Sequence, residues 1–481
     1  MSGLDILVMG LYFGAVIGIG VYFTRTQKDA SDYFLGRHSI PWWAVMLSIV
    51  ATETSALTVI SIPGLGARTD LTFLQLPFGY LIGRVGVAIW LLPGYFRGDQ
   101  QTAYERLENR FGMSTRRIAS ALFMVIRSLG DSVRVFATAI PLAIVTGWSI
   151  PASIVIVAVV TVAYTWAGGI KAVIWVDVMQ MGLYVVAAIA TIAVAASLAG
   201  GVDLVIERAL DAGKLKVFDW SLSFSTTYTF AGGILGGALL SAASHGTDHL
   251  IVQRLLSTRA LKDANKALIG SGILVIAQFA IFLLVGTFLW AVGAEDTSMS
   301  GDELFPRFVV DFLPSGVSGL VVAGILAAAM STVSSSLNSL ASATTHDFYA
   351  SIRGRKDPEH LLVVGRWATV GWAFVLVGGA LSFKSSDQPV VELALSIASI
   401  TYGGLLGVYI LGGVVRRARQ FDAIIAISVA TVFMVVVVLV KPPPFAELAW
   451  PWYVPLGTGV TVFTGAVSAY LLHRRRGVDP T

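Results

Sequence analysis

The feature that most restricts this chain is a run of about twenty apolar residues that recurs from one end of the sequence to the other. "LDILVMGLYFGAVIGIGVYF" (4–23) and "AIIAISVATVFMVVVVLV" (423–440) are two instances. As helices, runs of this length cross the roughly 30 Å hydrocarbon core of a bilayer. Of 481 residues, 56% are hydrophobic and only 13% charged, which excludes an ordinary soluble domain. The chain therefore reads as an all-α polytopic membrane protein. Its first run starts at Leu4 with no basic segment before it and no small-residue cleavage site after it, so it is expected to be a retained helix.

Apolar runs bounded by charges and Gly/Pro clusters predict thirteen spans, near 4–24, 41–64, 72–96, 117–147, 152–168, 173–199, 228–256, 265–293, 315–348, 361–384, 388–413, 420–440 and 453–473. Twelve or fourteen remain alternatives. The net charge of +4 is not a nucleic-acid signature, because the basic residues sit in short loops at span ends. One set of alternate loops carries Arg25, Lys28, Arg37, Arg97, Arg106, Arg110, Arg116, Arg117, Lys171, Arg254, Arg259, Lys262, Arg353, Arg355, Lys356, Arg416, Arg417, Arg419 and Arg474 to Arg476. The other set has only Arg68, Arg208, Lys214, Lys216, Arg307, Lys384 and Lys441. That asymmetry predicts an N-terminus outside and a C-terminus in the cytoplasm; the expected location is the plasma (inner) membrane. The cytoplasmic stretch "RGDQQTAYERLENRFGMSTRR" reads as an amphipathic loop or short helix.

Several chemistries are disfavoured. There is no cysteine, hence no disulfide, thiolate metal site or thiol nucleophile. There is no GxxxxGK[ST] motif for ATP-driven pumping and no recognisable nucleophile–base pair, so the chain is not expected to be an enzyme. What stands out instead is ionisable residues inside apolar runs, which are costly there and mark candidate functional sites. They are Glu53, Arg84, Arg127, Asp131, Arg134, Asp177, Asp248, Glu392 and, near them, His245 and His249.

Four stretches carry these residues. In "SIVATETSALTVISIPG" (48–64), Thr52, Glu53, Thr54, Ser55 and Thr58 interrupt the second span ahead of Pro63 and Gly64. The helix could unwind there and offer carbonyls, the hard ligands a small alkali cation prefers, or it could be a polar kink satisfied by neighbours. In "AAAMSTVSSSLNSL" (327–340), Ser331, Ser334 and Ser335 share one helix face, with Thr332 and Ser336 beside it. The row could face a cation, or it could be small residues allowing close packing. "SHGTDH" (244–249) predicts a second break, facing solute or simply ending a helix; its histidines lack an evident third metal ligand. Arg127, Asp131 and Arg134 form one helical stripe, either a self-neutralising cluster or an arginine free for a substrate carboxylate.

"SDYFLGRHSIPWWAVMLSIVATETSA" (31–56), "AGGIKAVIWVDVMQ" (167–180), "HLIVQRLLS" (249–257) and "ILAAAMSTVSSSLNSLASATTHDFY" (325–349) together resemble the sodium:solute symporter family. The resemblance implies the LeuT-type fold, two inverted five-helix repeats each opening on a broken helix. Here the divisions would be 1–40 (first helix and cytoplasmic loop), 41–199 (first repeat), 200–227 (extracellular loop), 228–413 (second repeat) and 414–481 (two further helices and tail).

It also implies sodium as the coupling ion. By position, one sodium would be held by the carbonyls of Ala51, Thr54 and Ala328 and the hydroxyls of Ser331 and Thr332. A second, as in the sialic-acid branch, would be held by Asp177, Ser331, Ser334 and Ser335. Solute-facing positions would be Glu53, Ser55, Thr58, Phe73, Arg127, Arg134, Ser241 and Ser244. Relative to the sugar branch, Glu53 replaces an asparagine, Pro77 a glutamate, Ser241 an asparagine and Leu395 a glutamine. The proline branch shares the acid but has aromatics at Leu240 and Ser244. The sialic-acid branch has hydroxyls matching Ser55 and Thr58 and a carboxylate-binding arginine, a part open to Arg127 or Arg134. The expected function is sodium-coupled import of a small polar solute, an organic acid or acidic sugar. An amino acid or neutral sugar is the alternative, and a transporter-like sensor or ion channel is further off. The expected partners are the solute and the lipid bilayer, with neither nucleic acid nor an obligate protein.

Overall fold

The structure, a computed structural model, describes residues 2–25, 27–98, 100–293, 301–355, 357–383 and 390–474. Of the residues weighed above, Lys356, Lys384, Arg475 and Arg476 lie outside these ranges, and the side chains of Glu392, Leu395 and Arg474 are likewise outside the description. Among the described residues every long element is a helix, and the one β pairing is an isolated bridge between Ile40 and Thr258. Helices dominate because an unpaired backbone N–H or C=O in lipid costs several kcal/mol. Nine described helices are long and apolar enough to cross a membrane, or ten when the bent pair Trp42–Glu53 and Ala56–Arg68 counts as one span.

Three further expected spans differ from that simple form. The 49-residue helix Ile150–Leu198 is broken at Gly169 (φ 55°, ψ −153°), between the two spans expected there. A side chain at Gly169 would run into the backbone of Tyr33, so both the dihedral angles and the close approach require glycine. Met113–Thr146 carries the Arg127, Asp131 and Arg134 stripe. The 228–256 run is split into Gly237–Gly246 and His249–Leu256.

The bend in the second span is 65°, at Thr54 and Ser55, whose backbone is extended. Pro63 and Gly64, read from sequence as part of the unwinding signal, lie within helix Ala56–Arg68. Their role is packing: a side chain at Gly286, on helix Leu261–Ala291, would run into the Pro63 carbonyl. The polar patch, and not the proline, sets the break.

The ninth span, Val317–Ala343, is the most enclosed; every residue from Val321 to Ala343 is buried. It packs along Ile150–Leu198, with Tyr164 donating to the Met330 carbonyl at 3.2 Å. Its N-terminus is fixed by Asp5 on the first helix, which accepts from the backbone N–H of Gly316 (2.7 Å) and Gly319 (2.9 Å). A carboxylate at a helix N-terminus satisfies unpaired amides and opposes the helix dipole. The stretch after the third span forms a short helix, Glu105–Phe111, tied by Arg116 to Glu105 (2.9 Å), Glu108 (2.6 Å) and Asp347 (2.7 Å).

Candidate functional site

Two helix breaks face a common cleft. At the first, helix Trp42–Glu53 ends and Ala56–Arg68 begins, leaving carbonyls at one end and amides at the other without helical partners. At the second, Gly237–Gly246 ends and His249–Leu256 begins, with Asp248 accepting from the Leu250 N–H at 2.9 Å as its cap. The cleft holds a cavity of about 120 Å³ within a wider hollow of about 950 Å³ that includes open solvent. It is lined by Glu53, Ser55 and Thr58 from the first break, Leu240, Ser244, His245, Leu250 and Ile251 around the second, Phe73, Tyr80, Arg127, Arg134, Phe279 and Tyr402 from other helices, and Thr52 and Thr332.

Seven of the eight residues expected to face solute line this cleft, namely Glu53, Ser55, Thr58, Phe73, Arg127, Arg134 and Ser244. Ser241 is not among the lining residues; it is buried, and its carbonyl and hydroxyl lie 3.2 and 3.4 Å from His245 Nδ1. Ser241 and Ser244 share a face of helix Gly237–Gly246, but Ser241 is the more deeply buried of the two and is covered from the opening.

Charges around the cleft are paired. Glu53, costly in a membrane, forms an ion pair with fully buried Arg84, whose Nη1 donates to Ser271 Oγ at 2.6 Å. His245 Nε2 lies 3.7 Å from the same carboxylate. Arg127 pairs with Asp248, which also accepts from the Tyr402 hydroxyl at 2.8 Å. Arg134 reaches Asp131 at 2.6 Å and keeps 21% of its side chain exposed, against 9% for Arg127. Asp131 also takes the Ser336 hydroxyl. The two arginines of the stripe are thus balanced by Asp131 within it and by Asp248 at the second break, and Arg134 is the more accessible cation.

The serine row divides by contact. Ser331 Oγ donates to Asp177 Oδ1 at 2.6 Å. Thr332 Oγ1 donates to the Ala328 carbonyl at 3.3 Å and lines the cleft. Ser334 and Ser335 turn back to the Ser331 carbonyl, at 3.0 and 2.6 Å. Thr54 Oγ1 donates to the Val50 carbonyl at 2.7 Å and accepts from Gln278. Asp177 is fully buried and receives Ser48 Oγ at 2.6 Å, Thr52 Oγ1 at 3.4 Å and Arg254 Nη2 at 3.1 Å.

Arg254 corrects the sequence reading. Grouped there with the cytoplasmic loop residues, it is instead completely buried on helix His249–Leu256. Ser48, Gln278 and Tyr402 also escaped notice as site residues, and Arg84 was flagged as an ionisable residue within a span but given no partner. The available signal was electrostatic: a buried Asp177 needs a cation, and "HLIVQR" places one on an apolar helical run. His245 and His249 each have other contacts. His245 contacts Ser244 at 2.8 Å, His249 contacts Ser342 at 3.0 Å, and no group of three potential ligands occurs among the described residues.

Comparison with known proteins agrees with this fold. The sodium/sialic acid symporter NanT of Aliivibrio fischeri is 30% identical over 489 residues, covering 99% of this chain and 95% of that protein. The sodium/sialic acid symporter SiaT of Proteus mirabilis is 29% identical, covering 96% and 93%. A solved substrate-bound, outward-open Na+-coupled sialic acid symporter superposes with a TM-score of 0.88 at 27% identity, covering 98% of each chain. The hydantoin-bound nucleobase-cation symporter Mhp1, at 13% identity and a TM-score of 0.60, shares the fold alone. The profile of the sodium:solute symporter family matches residues 33–429, and this chain belongs to that family.

Proposed function

We propose that this protein couples inward sodium movement to the import of an acidic sugar of the sialic acid class, by alternating access around the cleft. The carrying observation is the cleft itself. It joins both helix breaks and presents Ser55, Thr58 and the N-terminal amides of Ala56–Arg68, with Arg134 as its accessible cation. Hydroxyls suit a polyhydroxylated solute. An arginine with helix N-terminal amides suits its carboxylate. The two relatives and the solved neighbour are sialic acid symporters, which supports the same class.

In this reading the first sodium takes the carbonyls of Ala51, Thr54 and Ala328 with the hydroxyls of Ser331 and Thr332, next to the solute. A second takes Asp177, Ser331, Ser334 and Ser335. Sodium between the second and ninth spans favours the outward-open arrangement and so raises solute affinity. Inward opening then exposes the ions to a cytoplasm low in sodium and electrically negative. Each ion contributes ~2.3 kcal/mol per 100 mV from the potential alone. Thirteen spans, the two inverted repeats, an outside N-terminus and a cytoplasmic C-terminus complete the proposal.

The test is uptake of radiolabelled N-acetylneuraminic acid into proteoliposomes with and without an inward sodium gradient. Sodium-stimulated accumulation is expected. Uptake indifferent to sodium, for this sugar and for other acidic sugars, would overturn the reading.

A further inference from the structure

Helix His249–Leu256 delivers the Arg254 guanidinium into the group of residues assigned above to the second sodium. Its Nε donates to Ser48 Oγ at 2.9 Å, its Nη2 to Asp177 Oδ2 at 3.1 Å and to Ser335 Oγ, and its Nη1 to the Leu250 carbonyl at 3.0 Å. Arg254, Asp177, Ser48, Ser331 and Ser335 are all fully buried. Asp177 and Ser335 are therefore shared between a tethered cation and the proposed mobile one.

The charge balance makes the sharing exclusive. Asp177 has Arg254 as its ion-pair partner among the described residues. One carboxylate balances one cation; sodium and the guanidinium together would leave a buried positive charge uncompensated, a strongly unfavourable arrangement away from water. Thr52 stands at the threshold, lining the cleft while lying 3.1 Å from Ser335 Oγ and 3.4 Å from Asp177 Oδ2.

We infer that Arg254 is a tethered competitor of the second sodium: the guanidinium holds Asp177 and Ser335 until sodium displaces it, and returns once sodium has left for the cytoplasm. This rests on the sodium-symport reading and deepens it. The exchange keeps the carboxylate compensated at every stage, so the empty carrier does not have to reorient with a bare buried charge. It also weakens sodium binding at this site, which favours release.

The test uses the full-length purified protein, with sodium binding read by intrinsic tryptophan fluorescence at constant ionic strength in choline. Uptake in proteoliposomes is measured separately, so failure of symport and failure of competition are distinguishable. Arg254→Gln is expected to tighten sodium binding at least about tenfold, the worth of one charge-assisted hydrogen bond. Arg254→Lys, whose ammonium cannot span Ser48, Asp177 and Ser335 as the fork does, is expected to shift in the same direction by less. The gain should vanish when Asp177→Asn is combined with Arg254→Gln. In Arg254→Ala, millimolar guanidinium chloride should displace sodium. Sodium curves that coincide with wild type in both Arg254→Gln and Arg254→Lys would overturn the inference, as would weaker sodium binding in either. Should Arg254→Gln fail to fold, Arg254→Lys decides alone on the same criterion.

Discussion

Glu53 poses a sharp question, because a carboxylate facing the cleft could serve solute or serve Arg84. The structure argues for the second as its main energetic role. Arg84 is fully enclosed; its neutral partner is Ser271, and its Nε has no hydrogen-bond partner. Glu53 keeps 18% of its side chain exposed and has His245 nearby. Removing one member of a buried pair costs ~3–5 kcal/mol, whereas replacing both is often near neutral. Glu53→Gln strands the guanidinium but keeps one hydrogen bond, so about 3 kcal/mol is expected. Arg84→Met leaves a carboxylate that cleft water can partly solvate, so about 2 kcal/mol is expected. The double variant should fall within about 1 kcal/mol of wild type, a coupling of at least about 4 kcal/mol. Unfolding free energies from detergent-to-SDS titrations complete the cycle. Additive single-variant losses, or a Glu53→Gln variant as stable as wild type, would refute the pairing argument.

Other consequences can be measured directly. Arg134→Ala should raise KM for an acidic sugar tenfold or more while largely keeping the folded fraction, because Asp131 retains Arg127 at 3.7 Å and the Ser336 hydroxyl. Arg127→Ala should in addition lower thermal stability, because it leaves buried Asp248 without its guanidinium; equal stability of the two variants would count against this division. Gly286→Ala should destabilise by roughly 1–3 kcal/mol or more, since its methyl group meets the Pro63 carbonyl, whereas Gly371→Ala meets nothing within 4 Å and should be neutral in the same melting assay. Glu105 lies in the short helix outside the spans, and burial pushes its carboxyl above the usual range despite the pull of Arg116. An acid raised in the folded state contributes stability that is present at low pH and lost as pH rises through the raised value. Glu105→Gln should therefore flatten that part of a Tm–pH profile.

Much of this was legible in the sequence because lipid imposes a simple code: apolar length sets spans, and a charge within one marks something that needs a partner. On that basis the helical architecture and the two polar stretches that hold the breaks, 48–64 and 244–249, could be named in advance, and the family resemblance added seven of the cleft-lining residues. What linear order could not supply was which charge meets which. Arg254 stands beside basic loop residues in the sequence, yet it lies against Asp177, 77 positions away. Arg84 and Glu53, 31 apart, neutralise each other, and Asp248, 121 residues from Arg127, takes the charge that spacing alone assigned to Asp131. Pro63 reads locally as a helix breaker, but the helix runs through it, with its carbonyl side packed against Gly286. Composition and periodicity describe one segment against its solvent, and that suffices to place helices. The partners of buried charges are chosen by Coulomb energy across helices brought together only by packing, so the tertiary structure alone decided them.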